Sequence, residues 1–326
     1  MTRPPAPLPT EPLPRNVIPA HGSGPRLPKR IRMDRTTYQR LYDSLATYED
    51  VHRIAHQEHW GEELLFVIHT HRVTRDATRR FYVVKRQVPK LVGQWKRGRT
   101  MLEIARDWKF PPVLMGQQML GELGIPRKKV WGTFLHPETA PDPRIHKEVE
   151  ALLAADMIYS PRGMELQRER GRKGEERLQT WLEKHGIGYR TEKDLRGKYA
   201  KTPDALLDEP IIFYGQKLTW IESKANFGDD VELRKNLKRQ LGPYTQMFGE
   251  GAVVYWYGYV EGAESPPGIL LWDGETFEGI TPVVPPRPER PHAVHPSRDH
   301  VRPTHPASPH GAPGSTHGGS SAAPPP

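Results

Sequence analysis

Charged residues inside strand-like apolar runs are the feature that most limits how this chain of 326 residues can fold. Within residues 201–230, "PDALL" and "IIFYG" predict two short strands around a turn at "DEP", and "LTWIESKA" predicts a third strand. Because side chains alternate along a strand, Glu222 and Lys224 project from the same face. Asp204 lies eighteen residues before Glu222. That spacing leaves room for one intervening strand, so the Asp204 carboxylate is expected opposite Glu222.

Helical patterns flank these predicted strands. The segment "GRKGEERLQTWLEKHGIGY" predicts an amphipathic helix with Leu178 and Leu182 on its apolar side and an end at Gly186. Glu175 precedes the two leucines by three and seven residues and is expected on the buried side, whereas Glu176 belongs to the solvent side. A basic helix, "ELRKNLKRQLGPYTQMF", and an apolar strand, "GAVVYWYGYV", follow the third strand. The predicted order is therefore α-β-β-β-α-β.

The sequence allows two explanations of the acidic pair. A Pro-Asp dipeptide is commonly a turn, and Glu-x-Lys in a strand is commonly a solvated edge. Two converging carboxylates instead repel each other and bind a hard cation, for which we expect Mg²⁺, with Mn²⁺ as the alternative. The absence of cysteine excludes thiolate ligands. Lys224 beside such an ion would hold the attacking water while the metal neutralises charge on a phosphate.

Residues 31–140 are expected to form an all-α module. In "RTMLEIARDWKFPPVLMGQQMLGELGIPRKKV", Thr100 and Glu103 have capping-box spacing before one helix, and the Pro-Pro pair can open a second. Two helices joined by a tight turn indicate a helix-turn-helix, although ordinary bundles contain the same arrangement. Residues 85–130 hold eleven Lys or Arg against three acidic residues, which indicates contact with DNA phosphates. The residues predicted to bind nucleic acid are Lys96, Arg97, Arg99, Arg106, Lys109, Arg127, Lys128 and Lys129.

The two ends of the chain differ in composition from the rest. Residues 1–30 are rich in proline, and residues 282–326 consist mostly of Pro, His, Ser, Gly and Ala, so both are expected to be disordered. No apolar run approaches the roughly 18 residues that a membrane span needs. The formal net charge of +9 indicates a polyanionic partner. We therefore expect an intracellular protein of the nucleus, also present in the cytoplasm, without membrane contact.

Short motifs in the second half resemble the PD-(D/E)XK nuclease superfamily. Pro203-Asp204 and Glu222-Ser223-Lys224 match its signature. The resemblance implies a restriction-endonuclease-like α/β domain over residues 141–281, with Glu175 as the extra acidic residue on the preceding helix. Gln240 and Tyr244 match the Q-x-x-x-Y spacing of its RecB-like branch.

Longer strings resemble a narrower group, the codanin-interacting nuclease family, which is also described by its TPD motif. These strings are "TPD" at 202–204, "WIESKANFGD" at 220–229 and "YWYGY" at 255–259. The resemblance covers about residues 35–280. It implies N-terminal helix-turn-helix repeats, a nuclease-like C-terminal domain and, as a partner, a codanin-like protein.

The expected fold class is an all-α helix-turn-helix N-terminal module followed by an α/β PD-(D/E)XK restriction-endonuclease-like domain with an α-β-β-β-α-β core. Two functions fit it. The first is a metal-dependent DNA nuclease, directed by the structure of its substrate. Its predicted site residues are the metal ligands Asp204, Glu222 and Glu175, the water-positioning Lys224, and Gln240 and Tyr244, which order the site. The second is a catalytically silent DNA-binding scaffold of a codanin-like complex. An intact acid-acid-lysine set favours the first.

Overall fold

The computed structural model describes residues 32–213 and 215–283, and its N-terminal half is helical. Helices α1 to α7 span Arg35–Ser44, Tyr48–Glu58, Glu62–Lys96, Met101–Asp107, Pro112–Glu122, Arg127–Leu135 and Pro143–Ala155. A short 3₁₀ helix, Pro137–Thr139, precedes α7. The predicted capping box is present, because the Thr100 hydroxyl accepts from the Glu103 N–H while the Glu103 carboxylate accepts from the Thr100 N–H.

The second half combines helices with a mixed sheet. Helices α8 to α12 span Pro161–Lys184, Glu192–Leu195, Asp230–Asn236, Gly242–Phe248 and Gly274–Gly279. A π-helical turn, Leu237–Leu241, joins α10 to α11. Strands β1 to β7 span Arg32–Met33, Tyr189–Thr191, Ala205–Phe213, Gln216–Lys224, Gly251–Tyr255, Tyr259–Val260 and Ile269–Asp273. In the part of the chain described here, no helix is long and apolar enough to cross a membrane.

The helical half contributes to two separate hydrophobic cores. The second half of α3 packs with α4 to α7 around residues such as Trp95, Met115 and Phe134. This core also takes in Ile145 and Leu152 of α7, so helical packing continues past residue 140. The close approach of α5 to its neighbours depends on Gly116, where a Cβ atom would come within 2.5 Å of Leu152.

Helices α1, α2 and the first half of α3 pack against the α/β half instead. Their core includes Leu41, Ile54 and Leu65 together with Phe227 and Val260. In addition, β1 pairs in parallel with β6. The helical segment is therefore not a separable module, because its first part shares a core with the α/β domain. Residues 1–31 and 284–326 lie outside the described residues, and they include all of the predicted disordered ends except residues 282 and 283, of which Val283 forms a β-bridge with Ile212.

The five-stranded sheet has the order β2-β3-β4-β5-β7. Strands β2, β3 and β4 are antiparallel, whereas β4, β5 and β7 are parallel. The predicted turn at "DEP" is wrong, because β3 runs through it as one strand. The β3–β4 register shifts between Leu206 and Ile211, and Pro210, which has no N–H for the ladder, lies inside this irregularity. The hairpin turns instead near Gly215, whose φ is +81°.

The resulting order is a helix, three antiparallel strands, a helical pair and a parallel strand. The first of the three strands is β2, not the predicted "PDALL" segment, and the short α9 lies between β2 and β3. Helix α8 packs on one face of the sheet through Leu178 and Leu182. Leu241 and Tyr244, from the α10–α11 region, pack on the other face. An α/β domain is thus present, and its assignment to the PD-(D/E)XK topology stays a prediction.

Candidate active site

Asp204 and Glu222 come together where β3 begins and β4 nears its end. Ala205 pairs with Ile221 in the antiparallel ladder, so Asp204, one residue before β3, lies opposite Glu222, as the spacing predicts. The Asp204 N–H donates to Glu222 Oε2 at 3.2 Å, and the Ser223 N–H donates to Asp204 Oδ2 at 2.8 Å. The backbone of each strand therefore holds the carboxylate of the other.

Lys224 completes the cluster from the same face of β4. Its Nζ lies 2.5 Å from Glu222 Oε1. The side chain of Glu222 is only 2% exposed and that of Lys224 is 16% exposed. The cluster holds two carboxylates against one ammonium, so removing Lys224 leaves both acids uncompensated, whereas removing Glu222 still leaves the ammonium beside the charge of Asp204.

The electrostatics of the pair favour an added cation. Burial raises the pKa of Glu222, the negative charge of Asp204 raises it further, and Lys224 only partly opposes this, so that the pKa reaches about 8. Burial also raises the pKa of Asp204, against the attraction of Lys224. The surroundings of both carboxyl groups therefore disfavour the ionised form. A divalent cation between the two carboxylates would offset the free-energy cost of ionising them.

A cavity of about 340 Å³ opens over the acid pair. Its lining consists of Glu192, Lys201, Thr202, Asp204, Glu222, Arg239, Gln240 and Tyr244. Gln240 and Tyr244 thus lie at the acids as the resemblance implies. The Tyr244 hydroxyl donates to the carbonyl of Thr202 at 2.7 Å, and this bond fixes the "TPD" loop that carries Asp204. Burial raises the pKa of Tyr244, and the charges of Glu222 and Asp204 raise it further, so its hydroxyl stays protonated as a donor.

Sequence reasoning missed Lys201 and Arg239. The π-helical turn brings Arg239 and Gln240, which are neighbours in sequence, to the same cavity wall, and such turns are frequent at functional sites. Pro243 lies just after the turn and has no N–H to give to the carbonyl of Arg239. The Lys201 ammonium donates to that carbonyl. A proline inside a helical pattern was the sequence signal for this break.

Glu175 lies elsewhere than predicted. It is exposed, and its neighbour Gly174 occupies the core side of α8, where an added Cβ would stand 2.7 Å from Trp256 and 3.0 Å from Ser223. The expectation that Glu175 is buried was therefore wrong. Partial burial and the charge of Asp204 nevertheless raise the pKa of Glu175, so its carboxyl group is within electrostatic reach of the pair. Glu176 faces solvent and pairs with Arg172.

The donor set suits a hard cation that keeps most of its water. Within the described residues, no three His, Cys, Asp or Glu side chains are grouped so that they could hold a metal ion. Asp204, Glu222 and Glu175 are thus not one preassembled three-carboxylate site. Mg²⁺ commonly binds through one or two carboxylates plus water and substrate phosphate, and the Asp204–Glu222 pair fits that pattern.

The predicted nucleic-acid residues lie on the helical half, and all but Arg99 are exposed. Arg99 is partly buried and forms an ion pair with Asp107 at 2.5 Å. Helix α5, the expected second helix of the helix-turn-helix, contains no basic residue, and its side chains are buried or half-buried as far as Leu120. By contrast, Arg127, Lys128 and Lys129 form the exposed first turn of α6. A DNA-contacting helix in this region would therefore be α6, and the helix-turn-helix itself stays a prediction.

Comparisons with known proteins agree on one family. The family described as "Protein of unknown function TPD sequence-motif" matches residues 141–274. The chain is 34% identical to "CDAN1-interacting nuclease 1" of Xenopus laevis over 184 residues, which is 53% of this chain and 61% of that protein. It is 33% identical to the protein of the same name from Mus musculus over 190 residues, covering 55% of this chain and 68% of the relative.

The human protein of that name is 32% identical over 181 residues, which is 52% of this chain and 64% of the relative. The matched part thus spans less than two thirds of the frog and human relatives and slightly more than two thirds of the mouse one. No solved structure gives a significant match. The chain therefore belongs to the TPD-motif family that contains the CDAN1-interacting nucleases.

Proposed function

We propose that this protein is a metal-dependent nuclease that hydrolyses DNA phosphodiester bonds. The observation that carries the proposal is the cluster of Asp204, Glu222 and Lys224, held together by backbone hydrogen bonds at the base of an open cavity. The names of the relatives from frog, mouse and man describe nucleases. Raised pKa values are common where carboxylates take part in chemistry.

In the proposed site, Asp204 and Glu222 would bind Mg²⁺ or Mn²⁺. The bound metal would neutralise charge on the phosphate and make its coordinated water more acidic. Glu175, exposed beside the pair, would accept a hydrogen bond from a water of the metal shell. Each carboxylate contributes a single oxygen to the backbone contacts of the other strand, so oxygen atoms remain for further bonds.

Lys224 would position the attacking water. Its ammonium can shift from Glu222 to a water oxygen, because a carboxylate engaged with a divalent cation offers a weaker acceptor. Hydrolysis then forms a bond from that oxygen to phosphorus, breaks one bridging P–O bond, and leaves a proton on the departing oxygen. A fixed ammonium beside the nucleophile is a form of positioning catalysis.

Lys201 and Arg239 would bind the scissile phosphate from the opposite wall. Arg239 has no carboxylate partner among the described residues, and Lys201 contacts only a backbone carbonyl. A guanidinium matches the geometry of two phosphate oxygens. Gln240 and Tyr244 then fix the wall and the "TPD" loop.

DNA docking would use the exposed cations of the helical half, centred on the first turn of α6. The proposed substrate is a DNA of particular structure, such as a flap or junction. A codanin-like protein is the proposed partner, in line with the names of the relatives. In a eukaryotic cell, the DNA substrate would place the protein in the nucleus, with a cytoplasmic fraction.

The alternative is a catalytically silent DNA-binding scaffold, and a substrate panel separates the two. Purified protein is incubated with single-stranded, duplex, flapped and four-way DNA in Mg²⁺, in Mn²⁺ and in EDTA. The nuclease predicts cleavage of at least one substrate in metal and none in EDTA. Intact substrates in every lane, with DNA still bound, would favour the scaffold.

A further inference from the structure

A second cavity, of about 370 Å³, lies where the helical half meets the α/β half. We call it the junction cavity. Tyr48 and Phe66, from α2 and α3, line one side, and Trp256 and Tyr257, directly after β5, line the other. Ligand sites of this size occur preferentially at such junctions. The rings of Tyr48, Phe66 and Tyr257 are partly exposed, so they offer apolar faces to a ligand.

Arg170 of α8 supplies a cation that forms no direct ion pair, although the charge of Glu63 acts on it from a distance. Its guanidinium lies 5.3 Å from the centre of the Phe66 ring, and among the described residues it donates no hydrogen bond and forms no ion pair. The other two cations of the lining are already paired, Lys173 with Glu169 at 3.1 Å and Arg177 with Glu278 at 2.7 Å. Burial lowers the pKa of Arg170. An anionic ligand would compensate this partly buried charge.

The junction cavity is adjacent to the proposed active site along two segments of the chain. Its wall contains Gly174 and Ala225, and these are the immediate neighbours of Glu175 and Lys224. The indole Nε1–H of Trp256 donates to Ser223 Oγ at 2.7 Å. Ser223 alternates with Glu222 and Lys224 along β4 and faces the opposite side of the sheet, so one substrate molecule would pass the carboxyl end of β4 to reach both cavities.

We propose that the junction cavity binds one unpaired nucleotide of the nucleic-acid substrate. The base stacks between the exposed aromatic faces, and Arg170 binds its phosphate. Glu62 and Glu63 also line the cavity and can accept hydrogen bonds from amino groups of a base. An acidic peptide would also suit Arg170, but it offers no base to stack on the aromatic rings of the lining. This inference rests on the proposed nuclease function. It implies that the nuclease prefers DNA with an extruded or single-stranded nucleotide.

The first test measures binding without cleavage. 2′-Deoxyadenosine 5′-monophosphate is titrated in EDTA into the full chain, with calorimetry as the readout. The wild type should bind, and Arg170→Gln should weaken binding about tenfold, the effect of losing a charge-assisted hydrogen bond. Arg168→Gln, an exposed arginine of the same helix, should bind as the wild type does. No binding, or equal binding by Arg170→Gln, would overturn the proposal.

Two further variants secure the interpretation. Arg170→Lys keeps the charge and the aliphatic stem, and it replaces Arg170→Gln in the test if the glutamine variant does not fold. Weaker nucleotide binding by the folded lysine variant then supports the site, and unchanged binding contradicts it. The double variant Lys201→Met, Arg239→Met alters the catalytic cavity alone. It should bind the nucleotide normally, and loss of binding would show that the nucleotide occupies the catalytic cavity instead.

A second test uses duplexes that differ in one bulged 2-aminopurine, whose fluorescence falls when it stacks. In EDTA, the wild type should quench the bulged base and Arg170→Gln should quench it less. Neither test requires hydrolysis. A protein that cleaves no substrate but still binds the nucleotide would therefore refute the nuclease function and support nucleotide binding in the junction cavity. A Glu-rich peptide that binds the cavity while the nucleotide does not would refute the pocket.

Discussion

Asp204 and Glu222 are linked through the backbone of their two strands. The backbone N–H of Asp204 donates to the Glu222 carboxylate, and the backbone N–H of Ser223 donates to the Asp204 carboxylate. A buried acid and a half-buried acid are thereby fixed side by side. This arrangement costs stability in the free protein, since both charged forms are disfavoured.

The first prediction concerns stability and pH. When folding raises the pKa of a carboxyl group, the group stabilises the folded protein at pH values below the pKa that it has in the unfolded chain. This stabilisation is lost as the pH rises through the pKa that the group has in the folded protein. For Glu222 the window runs from 4.5 to about 8. In EDTA at pH 8–9, Glu222→Gln should therefore be more stable than the wild type by about 1–3 kcal/mol. The gap should close near pH 5.

Urea unfolding across this pH range measures the effect, with Glu176→Gln as the matched control on the solvent side of α8. Added Mg²⁺ should raise the stability of the wild type at pH 8 and leave Glu222→Gln unchanged. A Glu222→Gln protein that is less stable than the wild type at every pH would contradict the electrostatic account.

The second prediction concerns Lys224. Lys224→Met keeps the aliphatic stem in place and removes the ammonium near Glu222. Cleavage should fall about 10²-fold or more, since a small misplacement of the attacking water can cost this much. DNA binding in Ca²⁺, measured by fluorescence anisotropy, should not change. Cleavage at wild-type rate would exclude Lys224 from the reaction.

The third prediction compares two neighbouring acids. Glu175 is within electrostatic reach of Asp204, whereas Glu176 pairs with Arg172 in solvent. Glu175→Gln should reduce the cleavage rate about tenfold and weaken the dependence on Mg²⁺ concentration, and Glu176→Gln should be silent. A larger effect at Glu176 would show that α8 presents a different face to the site.

The fourth prediction concerns the opposite wall of the catalytic cavity. Arg239→Met should raise KM for DNA several-fold, because a phosphate contact is lost. Calorimetric Mn²⁺ affinity should stay constant, since Arg239 is not a ligand. Lys238→Met, one residue earlier and outside the cavity lining, is the control. Equal effects of the two substitutions on KM would show that Arg239 acts only through the general positive charge of the surface.

The fifth prediction concerns the first turn of α6. Replacing Arg127, Lys128 and Lys129 by Gln should reduce the slope of log affinity against log salt by roughly two to three, since each phosphate contact contributes about 0.9. Matched replacement of three other exposed cations, Arg53, Arg79 and Lys147, should leave the slope nearly unchanged. An unchanged slope for the α6 variant would remove this turn from the DNA interface.

Local rules predicted much of this structure from sequence. The Thr100 capping box and the alternation that aligns Glu222 with Lys224 depend on residues close in sequence, so spacing alone predicts them. The meeting of Asp204 with Glu222 required only that neighbouring strands pair. The resemblance to the RecB-like branch of the PD-(D/E)XK superfamily then pointed to Gln240 and Tyr244.

Other features depend on packing that spacing cannot express. The predicted turn at "DEP" failed because a register shift accommodates Pro210 inside one continuous strand. Helical periodicity placed Glu175 on the core side, whereas the tight contact of Gly174 with Trp256 sets the actual rotation of α8. The shared core of α1 to α3 with Phe227 and Val260 involves distant segments. Deleting residues 31–140 would therefore disrupt folding.

A single-turnover assay tests whether Asp204 and Glu222 form a metal-dependent catalytic centre. The wild type and Asp204→Asn are compared in Mg²⁺ at protein concentrations that saturate the same DNA substrate. We predict cleavage by the wild type and a loss of at least about 10³-fold in Asp204→Asn, with equal DNA occupancy. Equal rates for the two proteins, or a wild type that cleaves no substrate in Mg²⁺ or Mn²⁺, would contradict the account.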